Sequence, residues 1–410
     1  MGRFLVVVPP LEGHTNPTVA LAAELTARGH DVAWTGHPEV VPGVLPPGAE
    51  FLAVAERAPA EVVEATAARN LAPARGALGF RAFWEEFVLP IARHMVPGVE
   101  AAVDAFRPDV VVVDQHALAG AAVALRRGLL WVTSATTSAD LVDPLAGIPK
   151  VAAWLRSRMT EVLTAAGVDS AVAATVDPRF SPHLLVAFTS RELVGAPGDL
   201  PEHWALVGPA LAGRHDPTPF PWERLGGTEP VVLVTLGTVN WRAGARFLAV
   251  AAEALGDMPV QAVIVAPGDL VPDPPSGVVV VPRVPQLALL ERTDLVVCHG
   301  GHNTVCESLA AGVPLVLAPV RDDQPFVADQ VVRAGAGVRV KFGRITAPAL
   351  RQAVSAVLAD PGCRKAAARV GTSLVGAGGA SAAADRLDVL LATGADARGR
   401  GMTIQDRRGS

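Results

Sequence analysis

Two doubly wound α/β domains facing one another are what this sequence predicts, on three observations. The chain has 410 residues, more than the ~100–200 of one ordinary core. Short β-branched runs alternate with helical segments in two successive series, and a stretch rich in proline and glycine separates the series.

The first series is FLVVVP (Phe4–Pro9), DVAWTG (Asp31–Gly36), DVVVVD (Asp109–Asp114), LLWVTSA (Leu129–Ala135) and LLVAFTS (Leu184–Ser190). Runs apolar on both faces, with helices between, belong to parallel sheets covered on both sides. The pattern restarts with VVLVTLG (Val231–Gly237), VQAVIVA (Val260–Ala266), GVVVVP (Gly277–Pro282), DLVVCHG (Asp294–Gly300) and PLVLAPV (Pro314–Val320). Between them, Gly213–Pro230 has no period and reads as a surface linker. The expected layout is a first domain over 1–212, a linker over 213–230, a second domain over 231–392 and a disordered tail over 393–410. GAGGAS (Gly376–Ser381) follows no strand, so it reads as a loop between helices and not as a dinucleotide fingerprint.

Composition narrows the function classes. Half of the residues are hydrophobic, yet no apolar run reaches the ~20 residues that span a bilayer. Met1–Pro10 fits a first core strand better than a signal peptide, so a cytoplasmic protein without a membrane partner is expected. Net charge is −5, with 35 basic against 40 acidic residues and no basic block, which removes the electrostatic footprint of a nucleic-acid binder. Cys298, Cys306 and Cys363 have neither paired metal-ligand spacing nor an even count and read as reduced thiols, with no metal site.

The most informative stretch is CHGGHNTVCESLAAGVPLVLAPVRDDQ (Cys298–Gln324), which leaves a strand and enters a helix near Asn303. Gly300 and Gly301 let the backbone turn sharply and come close to a ligand. The first helical amides have no intrahelical partner and carry the positive end of the helix dipole, so a diphosphate fits there without lysines. His299, Asn303 and Thr304 can add side-chain donors, and Glu307, one turn on, can accept from a ribose hydroxyl. The plainer alternatives are a simple cap at Asn303 and Thr304 and a charged loop at Asp323 and Gln324.

RVPQLALL (Arg283–Leu290), then HGGHNTVCESLAAGVPLV, then DDQ resembles the donor-binding signature of inverting GT-B glycosyltransferases, the family of the macrolide glycosyltransferases and plant UDP-glycosyltransferases. The likeness is close over Arg283–Gln324, good at TLGT (Thr235–Thr238) and GHTNP (Gly13–Pro17), and elsewhere rests on the α/β rhythm. It implies a GT-B fold of two Rossmann-like domains with the site in the cleft between them. It further implies that Val284 and Gln286 hold nucleobase and ribose, and that Glu307 takes the ribose hydroxyls. The turn at Gly300 with His299, Gly301, Asn303 and Thr304 would hold the diphosphate, with Thr238 near the β-phosphate. Asp323 and Gln324 would bind hydroxyls of the transferred sugar. Arg283 stands where the plant enzymes carry a tryptophan that stacks on uracil; a guanidinium also lies flat on a ring, which leaves UDP and dTDP both open. The nucleotide sugar is a substrate, so no cofactor is implied and no metal is required for the chemistry. Cys298 and Cys306, beside this site, read as small buried hydrophobes.

Sugar transfer to an alcohol or phenol needs a base, and an imidazole titrating near neutrality is the usual one. His14 lies at the carboxyl end of the first strand, where open α/β sheets place ligand chemistry. Asn16 can cap the following helix and Pro17 suits its first position, which frees the imidazole for another task. A carboxylate would fix its tautomer, and Asp114, ending DVVVVD on the same sheet edge, is the candidate; the resembled family pairs its motif histidine with such an aspartate. His116 reads first as a loop histidine and otherwise as part of the acceptor pocket. Phe80, Phe83, Trp84 and Phe87 have helical spacing, so most are expected in the core and one or two at a pocket. Asn70–Met95 and Thr133–Pro149 are expected to select the acceptor, an apolar natural product such as a polyketide, macrolide or flavonoid.

The expected reaction is a single in-line displacement with inversion, by a monomer or homodimer. Two alternatives are a sugar-nucleotide epimerase and a non-catalytic glycosyltransferase-like partner. The first would lean on carboxylates around the sugar, and the second would have lost His14, Asp114 or the HGG element, all present here. No paired carboxylates mark a glycoside hydrolase.

Overall fold

The computed structural model describes residues 1–55, 57–71, 76–142, 145, 147–195, 198, 200–213, 216–237 and 243–399. Two sheets organise it, and every pairing in both is parallel. The first has β1 (Arg3–Val7), β2 (Asp31–Gly36), β3 (Glu50–Ala53), β4 (Val110–Asp114), β5 (Leu130–Ala135), β6 (Leu185–Ala187) and β7 (Trp204–Leu206), in the order β3-β2-β1-β4-β5-β6-β7. The second has β8 (Val231–Thr235), β9 (Gln261–Val265), β10 (Val278–Val281), β11 (Leu295–Cys298), β12 (Leu315–Leu317) and β13 (Gly337–Arg339), in the order β10-β9-β8-β11-β12-β13.

All ten apolar runs fall on strands. The three strands that no such run announces, β3, β7 and β13, lie at sheet edges and are only partly buried, so they carry no two-faced apolar signature. Central strands are buried almost throughout, with separate apolar clusters on the two faces of each sheet. Strand order reverses between β1 and β4, and again between β8 and β11. Such reversal points open a crevice at the carboxyl ends of the strands. Pairing of Val7 with Val113 brings the chain leaving β1 alongside Asp114.

Two boundaries differ from expectation. The linker docks on the second domain: Phe220 is buried in the cluster that holds Leu233 and Leu289, and Trp222–Leu225 forms a single 3-10 turn. The last helix, Gly379–Gly399, does not belong to the second domain. Its Ala380, Ala383, Ala384 and Leu387, spaced as one helical stripe, pack into the first-domain cluster with Phe4, Leu21 and Trp34. Arg28 pairs with Asp385 at 2.7 Å and Asp388 at 2.9 Å. The expected second domain over 231–392 therefore gives up everything from Gly379, because this stripe fills the face of the first sheet, and the same helix runs on through the start of the tail expected from 393, as far as Gly399. Residues 400–410 lie outside the described ones. Gly378 and Gly379, with φ of +92° and +58°, make the tight loop between helices that GAGGAS announces. Among the described residues no helix is long and apolar enough to cross a membrane.

Candidate functional site

The helix after β1 starts earlier than GHTNP suggests. It covers Glu12–Ala27 with Leu11 at the cap position, so Asn16 caps nothing and Pro17 lies inside the helix. Proline has no N–H to give to the carbonyl four residues back, here that of Gly13. That carbonyl accepts instead from Asn303 Nδ2 of the second domain at 2.8 Å.

His14 sits in the first turn of this helix, half-buried, its Nδ1 3.0 Å from both carboxylate oxygens of fully buried Asp114. The carboxylate is held from two further sides: the His116 amide donates to Oδ1 at 2.9 Å and the Thr136 hydroxyl to Oδ2 at 2.9 Å. The Thr136 oxygen is also 2.8 Å from His14 Nδ1. Burial favours the neutral imidazole, but the charge of Asp114 and its hydrogen bond, aided by Asp323 and Asp140, outweigh that and raise the His14 pKa above 6.5. With its Nδ1 proton on Asp114, neutral His14 carries its lone pair on Nε2, the tautomer a base needs.

His116 lies in the turn after β4, the loop position read first, but it is not at the surface. It is buried, its ring centroid is 5.2 Å from that of His14, and it meets the rings of Phe83 at 5.2 Å and Trp84 at 5.8 Å edge to face. A stretch of π-helix at Trp84–Val88 carries part of this aromatic wall. Trp84 and Phe87 are core residues, while Phe80 and Phe83 are half-buried against the same core. Asp140 backs His116 with Oδ2 3.6 Å from its Nε2, and Gln115 and Arg179 bond the same carboxylate. Burial opposes ionisation of Asp140, but Arg179 foremost, with His116 and Gln115, brings its pKa to about 2. His14, Asp114 and His116 each offer an atom within 4.8 Å of the others, close enough to share a cation, but the Thr136 hydroxyl already links two of them.

On the facing edge, the helix His302–Ala310 begins directly after the turn at Gly300, whose φ is +86°. The His299 ring is slotted between two glycines: a Cβ on Gly237 would come 2.9 Å from its Cε1, and one on Gly301 would run into its Nε2. Burial, with Arg321 adding to it and a backbone bond to Thr235 opposing, lowers the His299 pKa to about 4; its Nδ1 is buried without a partner. Gln286 Nε2 hydrogen-bonds Glu307 Oε2, which brings the expected nucleobase and ribose residues together. Val284 is buried in the core and Arg283 is exposed, so Val284 can offer a ligand mainly its backbone. Thr304 is buried, and Asn303, half-buried, uses its amide on Gly13. Gln324 is buried, its Oε1 accepting from the amides of Val320 and Arg321. Asp323 accepts from the Thr137 hydroxyl at 2.7 Å across the cleft, and burial raises its pKa. Thr238 lies outside the described residues.

All three cysteines are free and buried, and burial pushes the Cys298 thiol to about 12. Between the domains, the void bounded by Pro17, Phe188, Asn303 and Glu307 measures about 10 Å³, and hydrogen bonds cross from Asn303 to Gly13, Thr137 to Asp323 and Ser138 to Gln330. A wider groove of about 840 Å³ runs along the helix Pro149–Ala165 and touches the candidate segments only at Pro149. Sequence reasoning placed Thr136, Thr137, Ser138 and Asp140 in the segment expected to select the acceptor and His302 in the donor stretch without giving any of them a role, and it missed Gln330. The TTS run at a strand end was the available sign for the first three.

Comparison with known proteins finds glycosyltransferases of the same fold. Residues 212–373 match the family described as UDP-glucoronosyl and UDP-glucosyl transferase. The chain is 30% identical over 409 residues to 4'-demethylrebeccamycin synthase of Lentzea aerocolonigenes, covering 90% of this chain and 94% of that protein. It is 29% identical over 397 residues to NDP-glycosyltransferase YjiC of Bacillus licheniformis, covering 93% and 96%. The crystal structure of the glycotransferase of kitacinnamycin superposes with a TM-score of 0.72 at 28% identity, covering 95% of this chain and 99% of that one.

Proposed function

This chain belongs to the UDP-glucoronosyl and UDP-glucosyl transferase family and is a sugar-transferring enzyme of GT-B fold, and from that premise we propose that it works by inversion. A hexose passes from a UDP- or dTDP-sugar to a hydroxyl of a hydrophobic natural product. The observation that carries this reading is the His14–Asp114 pair, 3.0 Å apart at the reversal point of the first sheet and one residue from the carbonyl that the donor-side Asn303 holds.

The acceptor oxygen gives its proton to His14 Nε2 and attacks the anomeric carbon. The bond from that carbon to the diphosphate oxygen breaks, and the nucleoside diphosphate leaves from the opposite face. An α-linked donor therefore gives a β-linked product. Arg283, Val284, Gln286 and Glu307 take the nucleoside; Asp323 and Gln324 take the sugar hydroxyls. His299, Gly301, Asn303, Thr304 and Thr238 take the diphosphate. Helix amides and a neutral His299 supply donors where the leaving charge develops, so the chemistry asks for no metal and no cofactor. Half-buried Phe83, packed edge to face on His116, offers an apolar ring to the acceptor, in line with relatives whose names attach to rebeccamycin and kitacinnamycin. We place the enzyme in the cytoplasm.

A donor-by-acceptor panel read by mass spectrometry, with NMR coupling constants on each product, tests this. β-Linked glycosides in unchanged yield with EDTA are expected. An α-linked product from an α-donor overturns inversion, and a sugar altered while still attached to labelled nucleotide makes the protein an epimerase.

A further inference from the structure

Three consecutive side chains beyond β5 reach three parts of the machinery. Thr136 Oγ1 donates to Asp114 Oδ2 at 2.9 Å and lies 2.8 Å from His14 Nδ1. Thr137 Oγ1 donates to Asp323 Oδ2 of the second domain at 2.7 Å. Ser138 Oγ donates to Gln330 Oε1, also of the second domain, at 2.5 Å and approaches His302 Nδ1 at 3.2 Å. All three residues are at least 96% buried. Losing the Thr137 or Ser138 hydroxyl would therefore take a donor from a buried partner that a surface loop would hand to water, and losing that of Thr136 would leave Asp114 Oδ2 with His14 alone.

Each carboxylate oxygen of Asp114 has one donor besides His14, the His116 amide on Oδ1 and Thr136 on Oδ2. Together they fix the carboxylate plane and, through it, the imidazole. His302, next to the residue that holds Gly13, is fixed in turn by Ser138 and by the Phe188 carbonyl at 3.2 Å. One short backbone thus joins the base to the docking of the donor helix.

We propose that Thr136–Ser138 is a coupling segment: Thr137 and Ser138 register the seating of the second domain, and Thr136, a positioning residue, converts that seating into the orientation of Asp114 and His14. It rests on the reading of His14 as the base. The consequence is a base aligned for proton removal only when the donor half of the site is in place.

The test uses the full-length chain with 15N-labelled histidine. Thr136→Val should lower kcat about 10- to 100-fold, the scale of a misplaced reacting group, with donor KM within about threefold of the original. Its His14 nitrogens should pass from one tautomer to a mixture, and Thr136→Ser should restore both readouts. Ser138→Ala touches neither His14 nor Asp114, yet should produce the same His14 mixture and a fall in kcat. An unchanged His14 signal in Ser138→Ala, an unchanged kcat in Thr136→Val, or failure of the serine to rescue overturns the proposal. Turnover retained by His14→Ala would sink the base assignment instead, and the nitrogen signals report the coupling independently of that result.

Discussion

Asn303 Nδ2 donates to the Gly13 carbonyl at 2.8 Å, and Pro17 is what leaves that carbonyl available. An interior proline costs a helix about 3 kcal/mol, so its presence in the Glu12–Ala27 helix calls for a return elsewhere. The return is a contact between the donor helix and the residue preceding His14.

Pro17→Ala should therefore separate stability from activity. The new N–H competes with Asn303 for Gly13, so the melting temperature should hold or rise while kcat/KM for the donor falls about tenfold, or ~1.4 kcal/mol. Thermal unfolding and initial rates on one preparation check both signs.

For the His14–Asp114 pair the expected outcome is a loss of turnover without a loss of nucleotide. His14→Ala should cut kcat on an unactivated alcohol by about 10²- to 10⁴-fold, with nucleotide affinity by calorimetry within about threefold. Because Asp114 is the leading contribution raising the His14 pKa, the acid limb of kcat/KM should lie above pH 6.5 and move to lower pH in Asp114→Asn.

Gly301→Ala should act through His299. The added methyl runs into the imidazole, which Gly237 on its other side prevents from stepping back. Nucleotide affinity should drop about tenfold, measured by titration calorimetry, with the His14 pH limb unmoved.

Acid should destabilise the fold in a defined window. His299 and His302 both have pKa values lowered to about 4 by burial, against 6.5 ordinarily. Between these values the unfolded chain binds more protons than the folded one, so stability rises with pH. It is complete above about 6.5 and lost towards 4, each histidine contributing a slope approaching 1.4 kcal/mol per pH unit, roughly. His14, raised instead, contributes stability at low pH that fades as pH climbs past its folded value. Melting curves from pH 4 to 8 should flatten on the acid side in His302→Gln.

The central strands were legible because their residues are apolar on both faces, and so was the meeting of His14 with Asp114, since reversal of strand order places both at one crevice. Other features depend on partners that no local pattern contains. Asn16 and Pro17 carry the residue types of a helix start, yet the helix begins at Glu12, where the His14 and Thr15 amides bond the Leu11 carbonyl, and a side chain 290 residues away satisfies the Gly13 carbonyl that Pro17 leaves free. Thr136 and Ser138 look like ordinary strand-end hydroxyls; their partners lie 22 and 192 residues off. The stripe Ala380–Leu387 was readable as one face of a helix, but not the sheet it would cover.

That final helix changes what kind of joint connects the two halves. The chain crosses from the first domain to the second once, through the linker, and returns at Gly378 and Gly379 to lie on the first sheet. A body held by one strap can swivel freely; held by two, it is confined to rocking about the line between them. Any relative movement of the two halves must therefore bend the chain at both the linker and the Gly378–Gly379 turn. A fragment cut at the linker would lose this cover over Phe4, Leu21 and Trp34 and leave an apolar face of the first sheet open to water.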